Sequence, residues 1–147
     1  MSEKTNKTVK ATEEKPDLVI DATDSAVGRV ASFAAKQALL GKTVAVVNCR
    51  EAVVTGKRNS VILEYRDIRQ KGGASLNGPF YPKHPQKIVK RMVRGMLSYK
   101  MGRGADALKR VKCYDTVPKE FEALKKPFAH GTVSTKSIKL WDLSREI

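Results

Sequence analysis

The side chains of this chain that crowd together by type are cations. KIVKRMVRGMLSYKMGRG, residues 87 to 104, holds six Lys or Arg and no acid. The acid-free stretch is wider still: the 38 residues between Asp67 and Asp106 hold nine Lys or Arg and no Asp or Glu. Ammonium and guanidinium groups at this density, without carboxylates, suit one kind of chemistry, the neutralisation of phosphates and release of their counterions. Other chemistry is poorly supplied. His84 and His130 are far apart, and Cys49 and Cys113 form no CxxC pair, so there is no metal-ligand spacing and the cysteines read as reduced thiols. GKT at Gly41 to Thr43 resembles the end of a phosphate-binding loop. Such a loop needs glycine where Lys36 stands, and it leads from a strand into a helix, the reverse of the order here. The turn after the first strand has only Gly28, short of a dinucleotide fingerprint. No paired carboxylates sit in the basic segment to act as acid and base.

Such an array needs a rigid mount. Placed on a helix, Ile88, Val89, Met92, Val93, Met96 and Leu97 fall on one half, and Lys87, Lys90, Arg91 and Arg94 on the other. This predicts an amphipathic helix from about Pro85 to Leu97. Lys87–Arg91 and Lys90–Arg94 are like-charge i,i+4 pairs, which oppose the helix; a polyanion is expected to relieve them. The apolar half lacks the Trp or Phe that suits a membrane surface. The clearest apolar run, Val44 to Val47, is far too short to span a bilayer. Nucleic acid is therefore the expected polyanion, in keeping with a net charge of +14.

With 147 residues and a hydrophobic fraction of 41%, one domain with a real core is expected. Residues 1–16 read as a flexible extension and 17–147 as the domain. DLVIDA predicts a strand, TDSAVGRVASFAAKQALLG a helix capped by Asp24 or Ser25 and stopped by Gly41, and KTVAVVNC a strand covered on both faces. This is a βαβ unit with parallel strands. EAVVTG allows a short strand and NSVILEYRDIRQ a second helix. Residues 71 to 86 form an irregular loop, in which Phe80 is expected to plug onto the core and Tyr81 either to plug or to stack on bases. MGRGADALKRVKCYD predicts a short helix and then a strand at Val111 to Tyr114; a helical turn follows Pro118, and SIKLWDLSREI gives a last strand and a terminal turn.

IDATDSAVGRVASFAAKQALLGKTVAVVNCREAVVTG, then GPFYPKHP, then KRMVRGMLSYKMGRGADALKRVKCYDTVP, together resemble the universal large-subunit ribosomal protein thirteen family over about residues 17 to 118. GPFYPKHP is similar to its archaeal or eukaryotic branch. The resemblance implies an α/β fold of three layers, α/β/α, around a mainly parallel, about four-stranded sheet, with a basic loop-helix extension. It implies a cytoplasmic, non-enzymatic constituent of the ribosome that binds and helps fold large-subunit rRNA beside neighbouring ribosomal proteins, with no cofactor, membrane or small-molecule substrate. The family's RG-M-L motif lands on Arg94 to Leu97, its next basic residue on Lys100, its RG pair on Arg103 and Gly104, the first helix's GR on Gly28 and Arg29, and its TG turn on Thr55 and Gly56. Ser98 stands where relatives commonly have proline. With the charge pattern, the expected rRNA contacts are Arg29, Lys57, Arg58, Lys71, Tyr81, Lys83, His84, Lys87, Lys90, Arg91, Arg94, Lys100, Arg103, Lys109 and Arg110. The competing expectation is a nucleotide-using or RNA-modifying enzyme on the same βαβ core.

Overall fold

A computed structural model of the chain describes residues 15–71, 80–124, 127 and 131–147. The expected extension lies outside the described residues except for 15 and 16, as do residues 72–79 of the long loop and His130.

A strand made only of aliphatic residues has to be covered on both faces. Val44–Val47 (β2) is such a strand, and all four residues are buried. Leu18–Asp21 (β1) lies parallel on one side, with Leu18 opposite Val44 and Asp21 opposite Val47. Val111–Cys113 (β4) lies parallel on the other, with Val111 opposite Val44, so the order is β1-β2-β4. Val27–Leu39 (α1) crosses from β1 to β2 and buries Val27, Val30, Ala31, Ala34, Ala35 and Ala38. Gly41 provides the left-handed stop, at φ +94°. The expected cap at the other end is corrected: Ala26 stands there with no side-chain hydrogen bond. Asp24 is instead turned to φ +49°, and the Ser25 hydroxyl donates to the Thr23 carbonyl.

Val53–Thr55 (β3) and Ser137–Lys139 (β5) pair antiparallel as a separate ribbon. Among the described residues the mainly parallel sheet thus has three strands; the ribbon adds an isolated parallel bridge between Ala26 and Val53 and packs Val54 and Ile138 against the core. Arg58–Gln70 (α2), Pro85–Gly95 (α3) and Gly102–Arg110 (α4) follow β3, and Leu140–Glu146 (α5) follows β5. The expected terminal turn is therefore a helix. Leu140, Leu143 and Ile147 recur on one face, and the first two are fully buried.

The two sheet faces are covered unequally. Ile20, Val44, Val46 and Val111 join a large cluster with apolar residues of all five helices. Val19, Ala45 and Val47 on the opposite face are capped by Phe121, from a 3-10 turn at Lys119–Phe121, with Tyr114 and Val117 beside it. The Tyr114 and Phe121 rings meet edge-on at 5.5 Å. A turn and loop thus occupy the third layer in the described residues. Cys49 and Cys113, remote in sequence, are brought together as free thiols, and the Cys49 thiol donates to the Val46 carbonyl at 3.8 Å.

The link from α3 to α4 is tight. The Ser98 carbonyl accepts the Met101 amide at 2.9 Å, and a Cβ on Gly104 would lie 2.2 Å from that same oxygen. Gly104 is required because two backbones touch there. Gly104→Ala is expected to lower stability by about 1–3 kcal/mol, as overpacking does. Denaturant melts of the two proteins read this directly, and coincident midpoints would mean that the link gives way freely.

Candidate nucleic-acid interface

The candidate interface is built on α3. Pro85 at its first turn supplies a fixed φ, and the Gln86 amide donates to Asp115 Oδ1 at 3.0 Å, tying the helix start to the end of β4. Ile88, Val89 and Val93 are completely buried, with Leu97 close behind. Met92 packs half-buried against the same cluster. Met96 departs from expectation and is 47% exposed. The helix ends at Gly95, Met96 becomes its C-cap, and the amide turns to the Val93 carbonyl. Its side chain therefore leaves the apolar half.

The cations of the other half are not equivalent. Lys87 is exposed. Lys90 is half-buried, and its ammonium donates to the Val111 carbonyl. Burial holds its pKa below the ordinary lysine value. Arg91 stacks 4.7 Å above the Tyr81 ring and donates to the Phe80 carbonyl at 3.0 Å. Tyr81 in turn meets Tyr65 edge-on at 5.3 Å. Tyr81 is therefore the plug, whereas Phe80 is 72% exposed, the reverse of its expected place. Arg94 lies 5.0 Å over Tyr99, which is 42% exposed. Phe80 and Tyr99 are ring surfaces that the expected contact set omits; their position in the acid-free stretch was the available signal.

Lys83, His84, Lys100 and Arg103 are exposed. Among the described residues, no cation from Lys83 to Arg103 takes part in an ion pair. The ion pairs lie elsewhere: Arg58 and Arg66 with Glu146, Lys109 with Asp106, and Lys139 with Asp24 and Glu51. α4 opens at Met101 with no side-chain cap and no acid in its first turn. Its first amides, beside Arg103, are donors suited to an anion.

The remaining expected contacts lie in other places. Arg29 is exposed at the start of α1, and Lys71 is exposed just past α2. Lys57 and Arg58 join Lys136 around a hollow of about 460 Å³ at the uncapped start of α2, where Glu146 already pairs with Arg58. Lys109 and Arg110 line a separate hollow of about 690 Å³ with Lys112, Tyr114 and Phe121. One Arg110 nitrogen also donates to the Ala38 carbonyl at 3.3 Å.

The strand ends of a parallel sheet are where an enzyme of this class would hold a ligand. Here their polar groups engage one another. Asp21 Oδ1 accepts from the Thr23 amide at 3.0 Å, the Thr23 hydroxyl at 2.6 Å and the Asn48 side-chain amide at 3.0 Å. Asn48 is held at φ +57°. This arrangement closes the turn between β1 and α1.

Comparison with known proteins adds to this geometry. The chain matches the family model described as Ribosomal protein L13 over residues 15–120. It is 46% identical over 105 residues to the large ribosomal subunit protein uL13 of Methanosarcina barkeri, covering 71% of this chain and 74% of that protein. It is 39% identical over 134 residues to that of Methanococcoides burtonii, covering 88% and 96%. To that of Natronomonas pharaonis it is 42% identical over 132 residues, covering 89% and 90%.

The environment of Lys90 has a consequence for pH. Its folded pKa lies below the ordinary 10.5, so between the two values the unfolded chain binds more protons. Stability through this group therefore rises with pH in that window. Comparing the parent with Lys90→Met, the stability difference is expected to move in the parent's favour as pH approaches 10.5. Urea melts across alkaline pH measure it; a difference that stays flat would place the ammonium in water.

Proposed function

The chain belongs to the ribosomal protein L13 family, and on that footing we propose that it is a structural, non-catalytic constituent of the large ribosomal subunit that binds large-subunit rRNA through α3 and its flanks. The relatives it resembles are archaeal, consistent with the archaeal or eukaryotic-like branch. The observation that carries the RNA-binding reading is the set of cations from Lys83 to Arg103, which make no ion pair among the described residues and lie on and beside a helix whose other half is buried in the core.

The roles divide by environment. Lys83, Lys87, Arg94, Lys100 and Arg103 meet phosphates, with His84 beside them. The exposed rings of Phe80 and Tyr99 offer faces to unstacked bases, the way aromatics commonly engage RNA. Lys90, Arg91 and Tyr81 hold the array in shape, since their polar groups or rings are already engaged within the protein. Lys57 and Arg58 at the start of α2, Arg29, Lys71, and Lys109 with Arg110 supply outlying contacts. Association releases counterions, and the α/β core fixes the spacing of the cations, so RNA helices that would repel one another can approach. The protein works in the ribosome, among neighbouring large-subunit proteins, and the cytoplasm is its proposed compartment.

Replacing Lys87, Arg94 and Lys100 together by Gln tests this reading on rRNA fragments. The slope of log affinity against log salt is expected to become shallower by roughly two to three, about one per phosphate contact removed. The melting temperature should change little, because all three side chains are at least partly in solvent. An unaltered slope with a folded variant would remove α3 from the contact surface.

A further inference from the structure

We infer that the cleft between the end of α1 and the start of the α3–α4 link is a docking site for an apolar, acid-flanked segment of a neighbouring protein. Its walls are Leu39 and Leu40 from α1 and Met96 from the link, over Ala35, and the cleft holds about 440 Å³. Leu40 is 66% exposed and Met96 47%, with Leu39 beside them. Helices that bury an apolar half elsewhere here turn three large aliphatic side chains into solvent at one place. The cause is geometric: α1 and α3 both end at this point, so the next residue of each is thrown off the buried face. Contiguous exposed aliphatic surface with a polar rim is a mark of a protein contact.

The rim decides the occupant. Lys36 and Arg103 border the cleft, Arg103 being shared with the proposed RNA surface, and among the described residues no Asp or Glu lines it. A guest must bring an apolar side chain for the floor and a carboxylate for the rim. RNA would satisfy the rim but not the floor. Base recognition uses aromatic faces and groups that read base edges, whereas these walls are aliphatic and their one small polar side chain is Ser32. A second protein segment satisfies both. The cleft adjoins the proposed RNA surface through Arg103, so one protein would be clasped between RNA and a neighbouring chain.

This inference rests on the reading that the chain sits in the large subunit, and one experiment separates the two. A photoreactive benzophenone side chain is placed at position 40, and in a parallel chain at Leu63, an exposed apolar residue of α2. Large subunits assembled in cells on each chain are purified, irradiated and analysed by mass spectrometry. Position 40 is expected to give one protein adduct, absent at position 63, on a peptide holding an apolar residue near Asp or Glu. Adding Lys36→Glu is expected to lower its yield roughly threefold, as loss of a rim charge pair does. Cross-linking to rRNA, to no molecule, or equally from position 63 overturns the docking site, as does a yield indifferent to Lys36→Glu. Absence of the tagged chain from the large subunit instead overturns the ribosomal reading on which the site depends.

Discussion

The structure depends on the burial of one half of α3 beneath a row of cations that no carboxylate of the described residues relieves. The magnitudes show why this is possible without RNA. Complete burial of Ile88, Val89 and Val93 contributes roughly 1.5–3 kcal/mol each. The like-charge pairs Lys87–Arg91 and Lys90–Arg94 oppose the helix by only about 0.2–0.5 kcal/mol each. Aliphatic packing wins by a wide margin, so the core holds the basic surface in place and leaves its repulsion unrelieved. Two of the cations are drawn into the protein in the process. Lys90 reaches a backbone carbonyl of β4, and Arg91 lies across a tyrosine that is itself pinned by another tyrosine. The array is stiffened by its least exposed members and presented by its most exposed ones.

Legibility in the sequence followed how local the cause was. β1, α1, β2 and the basic helix were readable because each is set by the periodicity of its own residues and by neighbours such as Gly41. What depended on distant partners was not. Nothing near Phe80 and Tyr81 says which of two adjacent rings turns inward; Tyr65 and Arg91 decide it. The fate of Lys90 is decided by a carbonyl of β4, and the need for glycine at position 104 by the backbone at Ser98. Met96 was misplaced for a different reason. A periodic pattern can be continued past the last helical residue, but the chain had already left the helix at Gly95. The same limit hid the cleft beside Leu40. The family resemblance narrowed the expected polyanion from nucleic acid in general to large-subunit rRNA.

The unequal cover of the sheet also bears on function. Helical residues form the large apolar cluster with one face, whereas a single 3-10 turn with Phe121 caps the central residues of the other. The well-packed side is where α3 and α4 stand, and rigidity there fixes the spacing between Lys87 and Arg103. The thinner side leaves a large apolar hollow between the sheet and the turn, edged by Lys109, Arg110 and Lys112. Among the described residues, close helical packing and an apolar hollow thus lie on opposite faces of one small sheet.

The β3–β5 ribbon imposes an order on synthesis. β3 emerges from a translating ribosome with residues 53–55, but its pairing partner waits for residues 137–139. During that interval the helix rich in lysine and arginine has already appeared, while Leu140 and Leu143 have yet to fill the core behind it. A nascent chain in this condition combines a bare strand edge with a polycation, the pair of hazards most prone to wrong association. Vectorial translation therefore gives this protein a vulnerable period that lasts until β5 is delivered.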